Sequence, residues 1–197
     1  MGTKGEKTKR IICENAFQLF AEKGFKDVTM KDICEKTGLS RGGLYRHYEN
    51  TGQIFLEIIR VLMADQQNEF EEKIKKNTPA RQILCQVLDR YEGEMIDSQH
   101  SLSIAIYEFF SSLSISKSSN SIQQQYEASK ETWTALIQYG IQTGEFCPVD
   151  PEAVYDLIVF SYQGVRMYSR LMEIDDAIPK RITSQIKSLL LIERKEK

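Results

Sequence analysis

The chain has 197 residues and a mass of 22.8 kDa, room for one large domain or a small one joined to a larger one. No apolar run approaches the ~18–20 residues of a membrane span, and the polar, lysine-rich start has no apolar core of a leader peptide. Cys13, Cys34, Cys85 and Cys147 form no C-x-x-C pair and have no histidine at ligand spacing, which argues against a disulfide framework or a zinc site. The expectation is a soluble cytoplasmic protein with no cofactor and no metal, in which Cys13 and Cys34 are small buried residues. The net charge of −2 is uneven: residues 1–50 carry 10 Lys and Arg against 7 Asp and Glu, and the remainder carries 16 against 21. A basic head on an acidic body suits a protein that touches DNA with one end.

Residues 1–8 read as a loose, solvated arm, with phosphate contacts by Lys4, Lys7 and Lys9 as the alternative. A first helix is expected from about Lys9 to Lys23, where Ile12, Ala16, Phe17 and Phe20 recur at helical spacing and Gly24 stops it. Phe25 and Val28 should pack with Ile33, Leu39 and Leu44 in a thin three-helix core. From Thr29 to Tyr48 the chain spells a helix-turn-helix in caps and breakers. Thr29 is an N-cap and Asp32, three residues on, a capping-box acid. Gly38 ends that helix in the left-handed conformation, Leu39 plugs the turn and Ser40 caps the next helix.

The second helix of the pair tells what the unit does. At about 100° per residue, Leu44 and Tyr48 share the inward face, while Gly42 and Arg46 lie opposite, flanked by Gly43 and Tyr45. Two consecutive glycines cost roughly 1 kcal/mol each against alanine inside a helix, with no packing return on a solvated face. They make sense where another molecule must approach the backbone, as DNA does when a recognition helix enters the major groove. Arg46 then reads a guanine edge, and Arg41, Tyr45 and His47 reach phosphates. A merely solvated charged face would explain Arg41, Arg46 and His47, but not their coincidence with the caps and the doubled glycine.

This run resembles the DNA-binding domain of TetR-type transcriptional regulators, whose pattern is a capping Thr, a helix, then G-(V/L)-S-x-G-x-L-Y-x-(H/Y)-(F/Y). Gly38, Leu39, Ser40, Gly42, Leu44, Tyr45, His47 and Tyr48 match. The resemblance implies DNA contacts by Thr29, Lys31, Ser40, Arg41, Gly42, Gly43, Tyr45, Arg46, His47 and Thr51. It also implies a fourth helix that links head to body, here carrying Ile54, Phe55, Ile58, Ile59, Leu62 and Met63 and ending near Lys75. Its first turn departs from the family: Thr51 stands where a lysine is usual, and Gly52 where an acid is. Gly43 likewise replaces a commoner Thr, Ala or Ser.

Thr78-Pro79 reads as N-cap and first residue of a fifth helix, with Ile83, Val87, Leu88, Tyr91 and Met95 inward. A short sixth helix is expected around Leu102–Leu113, then a serine-rich loop from Ser111 to Ser121. The seventh spans about Ile122–Thr143, with Trp133, Leu136, Ile137, Gly140 and Ile141 as its stripe. The next segment is similar to a second TetR-type feature, G-x-x-x-G-E-(F/L) with D-P a few residues later: Gly140, Gly144, Glu145, Phe146, Asp150 and Pro151 match. In an eighth helix, about Pro151–Met172, Val154, Leu157, Ile158, Val165, Tyr168 and Met172 take one side, and Tyr155, Val159 and Tyr162 lie beside it. A ninth, about Pro179–Ile192, has Ile182, Ile186, Leu189 and Leu190 in register. Apolar stripes this broad need a further surface to bury against, and a two-fold dimer through Val159, Tyr162, Ile182, Ile186 and Leu189 meets the need.

The expected fold is therefore all-α with about nine helices: a helix-turn-helix DNA-binding domain over 1–50, whose linking helix continues to about 66, and a helical effector-binding and dimerisation domain over 51–197. A dimer should read a palindromic or pseudo-palindromic operator. The resemblance implies repression relieved by a small molecule bound in the body, a two-state coupling in which the ligand prefers the non-binding arrangement. Met95, Tyr107, Phe110, Tyr126, Trp133, Tyr162 and Arg166 are the candidate pocket, with Met167 also available and Glu108, Glu127 and Arg166 as charges for an ionic effector. A DNA-binding regulator or helical interaction protein without a ligand is the alternative. Gly38-Leu39-Ser40-Arg41-Gly42 also satisfies G-x-S-x-G, but the hydrolase elbow needs a strand before it, and here a capped helix precedes. No enzyme is expected.

Overall fold

The computed structural model describes residues 4–96, 101–112 and 115–192. Over these the chain forms α1 (Lys4–Lys23), α2 (Met30–Thr37), α3 (Arg41–Tyr45), α4 (Thr51–Lys75), α5 (Ala80–Ile96), α6 (Ser103–Ser112), α7 (Ile115–Gln142), α8 (Pro151–Tyr168) and α9 (Ala177–Leu190). Among the described residues there is no strand, only an isolated antiparallel bridge between Phe146 and Leu191. The fold is all-α, as the periodicity implied.

Two stretches read as irregular are helical. From Lys4 the expected arm is already the first turn of α1, where the Thr8 hydroxyl donates to the Lys4 carbonyl at 3.0 Å. From Ile115 the serine-rich run belongs to α7. Serine lowers helix propensity by well under 1 kcal/mol per residue, too little to stop a helix that the following apolar stripe extends.

Packing divides the chain into two units. The described residues of the first fall within Met1–Ala64 and Gln99–Ile122. Its core joins Ile12, Ala16 and Phe20 of α1, Ile33 of α2, Leu44 of α3, Ile54, Phe55 and Ile58 of α4, and Phe109 of α6. Phe25, in the turn after α1, sits among three rings, with centroids 5.6 Å from Phe20, 5.3 Å from Phe55 and 4.7 Å from Phe109. The sequence placed Phe25 and Val28 in this core but missed Phe109, which arrives from α6, two helices beyond α4, in a helix whose partner the periodicity could not name.

The described residues of the second unit fall within Asp65–Ser98 and Gln123–Lys197. Trp133 of α7 lies at its centre, against Phe70 at 5.2 Å and Tyr91 at 6.0 Å. The G-x-x-x-G-E-F segment closes this unit by tertiary contacts. Gly144 takes φ +71°, the left-handed conformation that ends α7. Glu145 then caps another helix altogether: its carboxylate accepts from Ala80 N at 3.0 Å and Arg81 N at 3.1 Å, amides of the first turn of α5 that have no partner within the helix. Burial raises its pKa, but those two amides and the Thr143 hydroxyl outweigh that and bring it below the usual glutamate value. So the Thr78 hydroxyl is not what caps α5, and the Thr78 carbonyl instead accepts from the Tyr139 hydroxyl at 3.1 Å.

Helix α8 turns differently from its expected face. The helix ends at Tyr168 rather than Met172, and the side expected to carry Val154, Leu157, Ile158, Val165, Tyr168 and Met172 is split: Val154, Ile158 and Val165 are buried with Tyr155, whereas Leu157, Tyr168 and Met172 are exposed. A helix apolar on most of its circumference has no single face that spacing can pick.

Candidate nucleic-acid interface

Local chemistry builds the helix-turn-helix as the sequence spelled it. The Thr29 hydroxyl accepts from Asp32 N at 3.2 Å, and the Asp32 carboxylate accepts from Thr29 N at 2.8 Å, a complete capping box. The Thr29 hydroxyl first, and then its amide, lower the Asp32 pKa to about 2. Because the folded value lies below the unfolded one, this cap contributes stability above about pH 4 and loses it as the pH falls towards 2. A thermal-melting gap between wild type and Asp32→Asn is expected at pH 6 and should close on descent through that window. A gap unchanged at pH 2 would mean that the carboxylate's charge is not what caps α2.

Gly38 ends α2 at φ +71°, and the Ser40 hydroxyl accepts from Gly43 N at 3.2 Å to start α3. Regular helix stops at Tyr45, yet Arg46 N reaches the Gly42 carbonyl and Tyr48 N the Leu44 carbonyl at 3.1 Å, so the helical phase continues. Leu44 and Tyr48 are accordingly buried, and Arg41, Gly42, Tyr45 and Arg46 all open to solvent on the other side. Gly43 and His47 are half-buried. Among the described residues no carboxylate is paired with Arg41 or Arg46, whereas Lys31 has Glu35 at 3.7 Å. A Cβ added to Gly42 would meet nothing within 4 Å, and one on Gly43 would sit 3.3 Å from the Ser40 hydroxyl. Neither backbone takes a positive φ. Nothing in the protein's own packing therefore requires glycine at Gly42.

Thr51 opens α4, half-buried. The cap there is a pair that the sequence reading passed over: Asn50 accepts from Gln53 N at 3.0 Å, and Gln53 accepts from Glu49 N at 2.9 Å. Asn and Gln three residues apart are a capping-box signal and were there to be read. Ser40, the serine of the G-x-S-x-G match, follows helix and turn and acts as a cap.

The candidate effector residues are not one cluster. Met95, Trp133, Tyr162 and Arg166 belong to the second unit, and Tyr107 and Phe110 to the first. Tyr162 lies against Tyr91 at 4.3 Å and donates to Glu94 at 2.6 Å, with the Arg166 guanidinium over its ring at 5.0 Å and 3.8 Å from Glu94. Burial raises the Tyr162 phenol's pKa. Tyr126 donates to Asp156, a bond that pushes its phenol up to about 12. Tyr107 is 64% exposed. Glu108, whose charge suggested a partner for an ionic effector, is engaged with backbone amides of the first unit. A separate cavity of 690 Å³ opens on the second unit among Arg81, Gln82, Cys85, Glu145, Lys187 and Leu191, and holds none of the expected effector residues. Among the described residues no group of three His, Cys, Asp or Glu is placed to hold a metal, and no helix is long and apolar enough to cross a membrane.

Of the residues expected at a dimer interface, Ile186 is buried in its own chain and Tyr162 is held by Glu94, while Leu189 is exposed and Val159 and Ile182 are half-buried. The apolar residues turned outward on and just after α8 include Leu157 (55% exposed), Phe160 (66%), Tyr168 (58%) and Leu171 (72%), with Met172 beside them.

The helix-turn-helix and the α-helical body correspond to two known sequence families. Residues 12–58 match the family described as bacterial regulatory proteins, tetR family, and residues 83–178 match the tetracyclin repressor-like C-terminal domain. The chain belongs to the TetR family. It is a DNA-binding transcriptional regulator. Among TetR-family relatives it is 31% identical over 157 residues to YfiR of Bacillus subtilis, an uncharacterised HTH-type transcriptional regulator, covering 77% of this chain and 75% of that one. To the HTH-type transcriptional repressor KstR2 of Rhodococcus jostii it is 27% identical over 146 residues, covering 74% and 70%. Its fold is shared with a regulator from Saccharomonospora viridis solved in complex with choline, at a TM-score of 0.75 and 16% identity over 95% of this chain and 100% of that one.

Proposed function

We propose that this TetR-family regulator is a cytoplasmic homodimeric repressor that reads a palindromic operator with the outer side of α3 and leaves it when a small molecule enters the helical body. Residues 1–50 with the start of α4 are the reading head, and 51–197 supply effector binding and dimerisation. One observation carries the DNA-reading part: Arg41, Tyr45 and Arg46 stand exposed around Gly42, where a Cβ would find open space. A helix face with unpaired guanidinium groups and no side chain at its centre lets base edges and phosphates approach together.

Dimerisation is supported by Leu157, Phe160, Tyr168 and Leu171, an outward apolar row that a second copy would remove from water at ~25 cal/mol per Å². These residues replace the more buried Tyr162 and Ile186 as the leading candidates. The Tyr162–Glu94–Arg166 group, walled by Tyr91, is where the body offers an effector both aromatic surface and charge. Solution mass decides the dimer: wild type should sediment as two protomers and bind a full palindrome as a dimer. Phe160→Glu, a charge set into the row, should give monomers and lose the palindrome at concentrations where wild type saturates it. A monomeric wild type, or a dimer indifferent to Phe160→Glu, would remove this face from the account.

A further inference from the structure

The cleft between α5 and α9 belongs neither to the DNA-reading face nor to the Tyr162–Glu94–Arg166 group, and its walls carry chemistry of their own. Three contacts fix how the two helices lie. The Arg81 guanidinium donates to the Ile192 carbonyl at 2.7 Å, the Lys187 ammonium to Asp89 at 2.7 Å, and the Thr183 hydroxyl to Glu92. The pairs run in opposite order along the chain, so α5 and α9 are antiparallel. Arg81 therefore faces the end of α9, and Lys187 meets α5 about 12 Å further on. Cys85, one turn after Arg81, lies between them, with Leu191 on the facing wall. The volume of 690 Å³ falls among those of small-molecule sites, ~300–1,000 Å³. Leu189, the exposed apolar residue of α9, points about 200° round the helix from Lys187, so the cleft is not the surface offered to a second copy.

Cations outweigh the carboxylates still open to a ligand here. Arg81 spends one of its five N–H groups on a carbonyl, and among the described residues it is paired with no carboxylate. Lys187 has Asp89 at 2.7 Å and Glu92 at 3.9 Å, both further along α5 than Cys85. Glu145 also lines the cleft, but its oxygens accept from the amides of Ala80 and Arg81 and from the Thr143 hydroxyl at 3.0 Å. Those amides being taken, an anion entering the cleft meets the Arg81 side chain and not the start of the helix. Gln82 and Ser188, both exposed, add a donor from each wall, and Pro79, Cys85, Leu191 and Ile192 supply apolar surface.

We infer that this cleft binds a small organic anion, a carboxylate or phosphate carried on a short apolar body. The charged group sits on Arg81, whose fork matches either anion, and the body lies along Cys85 and Leu191 towards Lys187. The site is independent of DNA reading, and its occupant ties α9 to α5.

Cys85 reports occupation directly. The full-length protein is alkylated with iodoacetamide, and modification of Cys85 and Cys13 is followed by peptide mass spectrometry. Octanoate, octyl phosphate, octylammonium and inorganic phosphate are compared at one ionic strength. Octanoate or octyl phosphate should slow Cys85 several-fold at saturation and leave Cys13, in the first unit, as it was. The one that acts at the lower concentration identifies the charged group. Octylammonium and inorganic phosphate should protect neither thiol at that concentration. Arg81→Gln should raise the concentration needed about tenfold, and Arg81→Lys should recover part of the loss. Ser188→Glu sets a like charge at an exposed position of the cleft, so it should fold as wild type and abolish protection, even if Arg81→Gln unfolds. Equal protection by octylammonium or inorganic phosphate, or equal slowing of Cys13, overturns the inference. So does protection that survives Ser188→Glu, or none by either organic anion.

Discussion

Gly140→Ala is expected to destabilise the protein although alanine is the better helix former. The position lies within α7, where the exchange alone would favour folding by roughly 1 kcal/mol. However, a Cβ built there falls into the ring of Phe146, 2.5 Å from its Cγ. The ring cannot withdraw easily. It is 1% exposed, and its backbone is fixed on both sides, with Phe146 N on the Gly140 carbonyl at 3.0 Å and Cys147 N on the Leu190 carbonyl at 2.7 Å. Overpacking of this kind costs ~1–3 kcal/mol, or more where the backbone is tied. At about 2–4 °C per kcal/mol for a chain of this size, melting should fall by several degrees. Urea unfolding should show a lower midpoint at an unchanged slope. Phe146→Leu in the Gly140→Ala background should cost less than the sum of the two single changes, because each relieves the other's contact. Gly140→Ala melting above wild type would show that the ring has room, and that the first glycine of G-x-x-x-G-E-F is there for another reason.

Gly42→Ala should do the reverse, leaving stability intact and removing function. Its added methyl meets nothing within 4 Å, so the folded protein should be as stable as wild type or better by up to about 1 kcal/mol. If DNA approaches the α3 backbone there, the same methyl stands between Arg41, Tyr45 and Arg46 and their partners. A clash of that size is worth ~1–3 kcal/mol, roughly tenfold to a hundredfold in affinity. Calorimetry beside a binding titration separates the two effects. A variant that is both more stable and fully active would leave the doubled glycine unexplained. Gly43→Ala is the contrast: its methyl presses on the Ser40 hydroxyl at 3.3 Å and should disturb the α3 cap as well.

What was legible in the sequence is what local chemistry decides. Thr29, Asp32 and Ser40 each act within three or four residues of themselves through the side chains that announced them, and Gly38 ends α2 through the left-handed backbone that a missing Cβ permits. Glu145 and Glu108 were opaque for the opposite reason. One caps amides 64 and 65 residues away, the other amides 82 and 83 residues away, and no pattern along the chain points at either partner. Glu108 was consequently read as a charge awaiting an effector. The outward row of α8 was hidden by abundance: with Tyr155, Leu157, Val159, Phe160 and Tyr162 all apolar or aromatic, only packing against α5 and α9 decides which are covered.

The reading of DNA by α3 is tested most directly by a fluorescence anisotropy titration of wild type and Arg46→Ala against DNA from the gene's own upstream region and a scrambled duplex, each at two salt concentrations. Arg46 is exposed and makes no ion pair among the described residues, so its removal should leave the fold alone. Wild type should prefer the upstream duplex, and Arg46→Ala should lose ~1–3 kcal/mol of that preference while its salt-sensitive binding to scrambled DNA barely changes. An Arg46→Ala protein that discriminates between the two duplexes as wild type does would contradict the assignment of this face to the major groove.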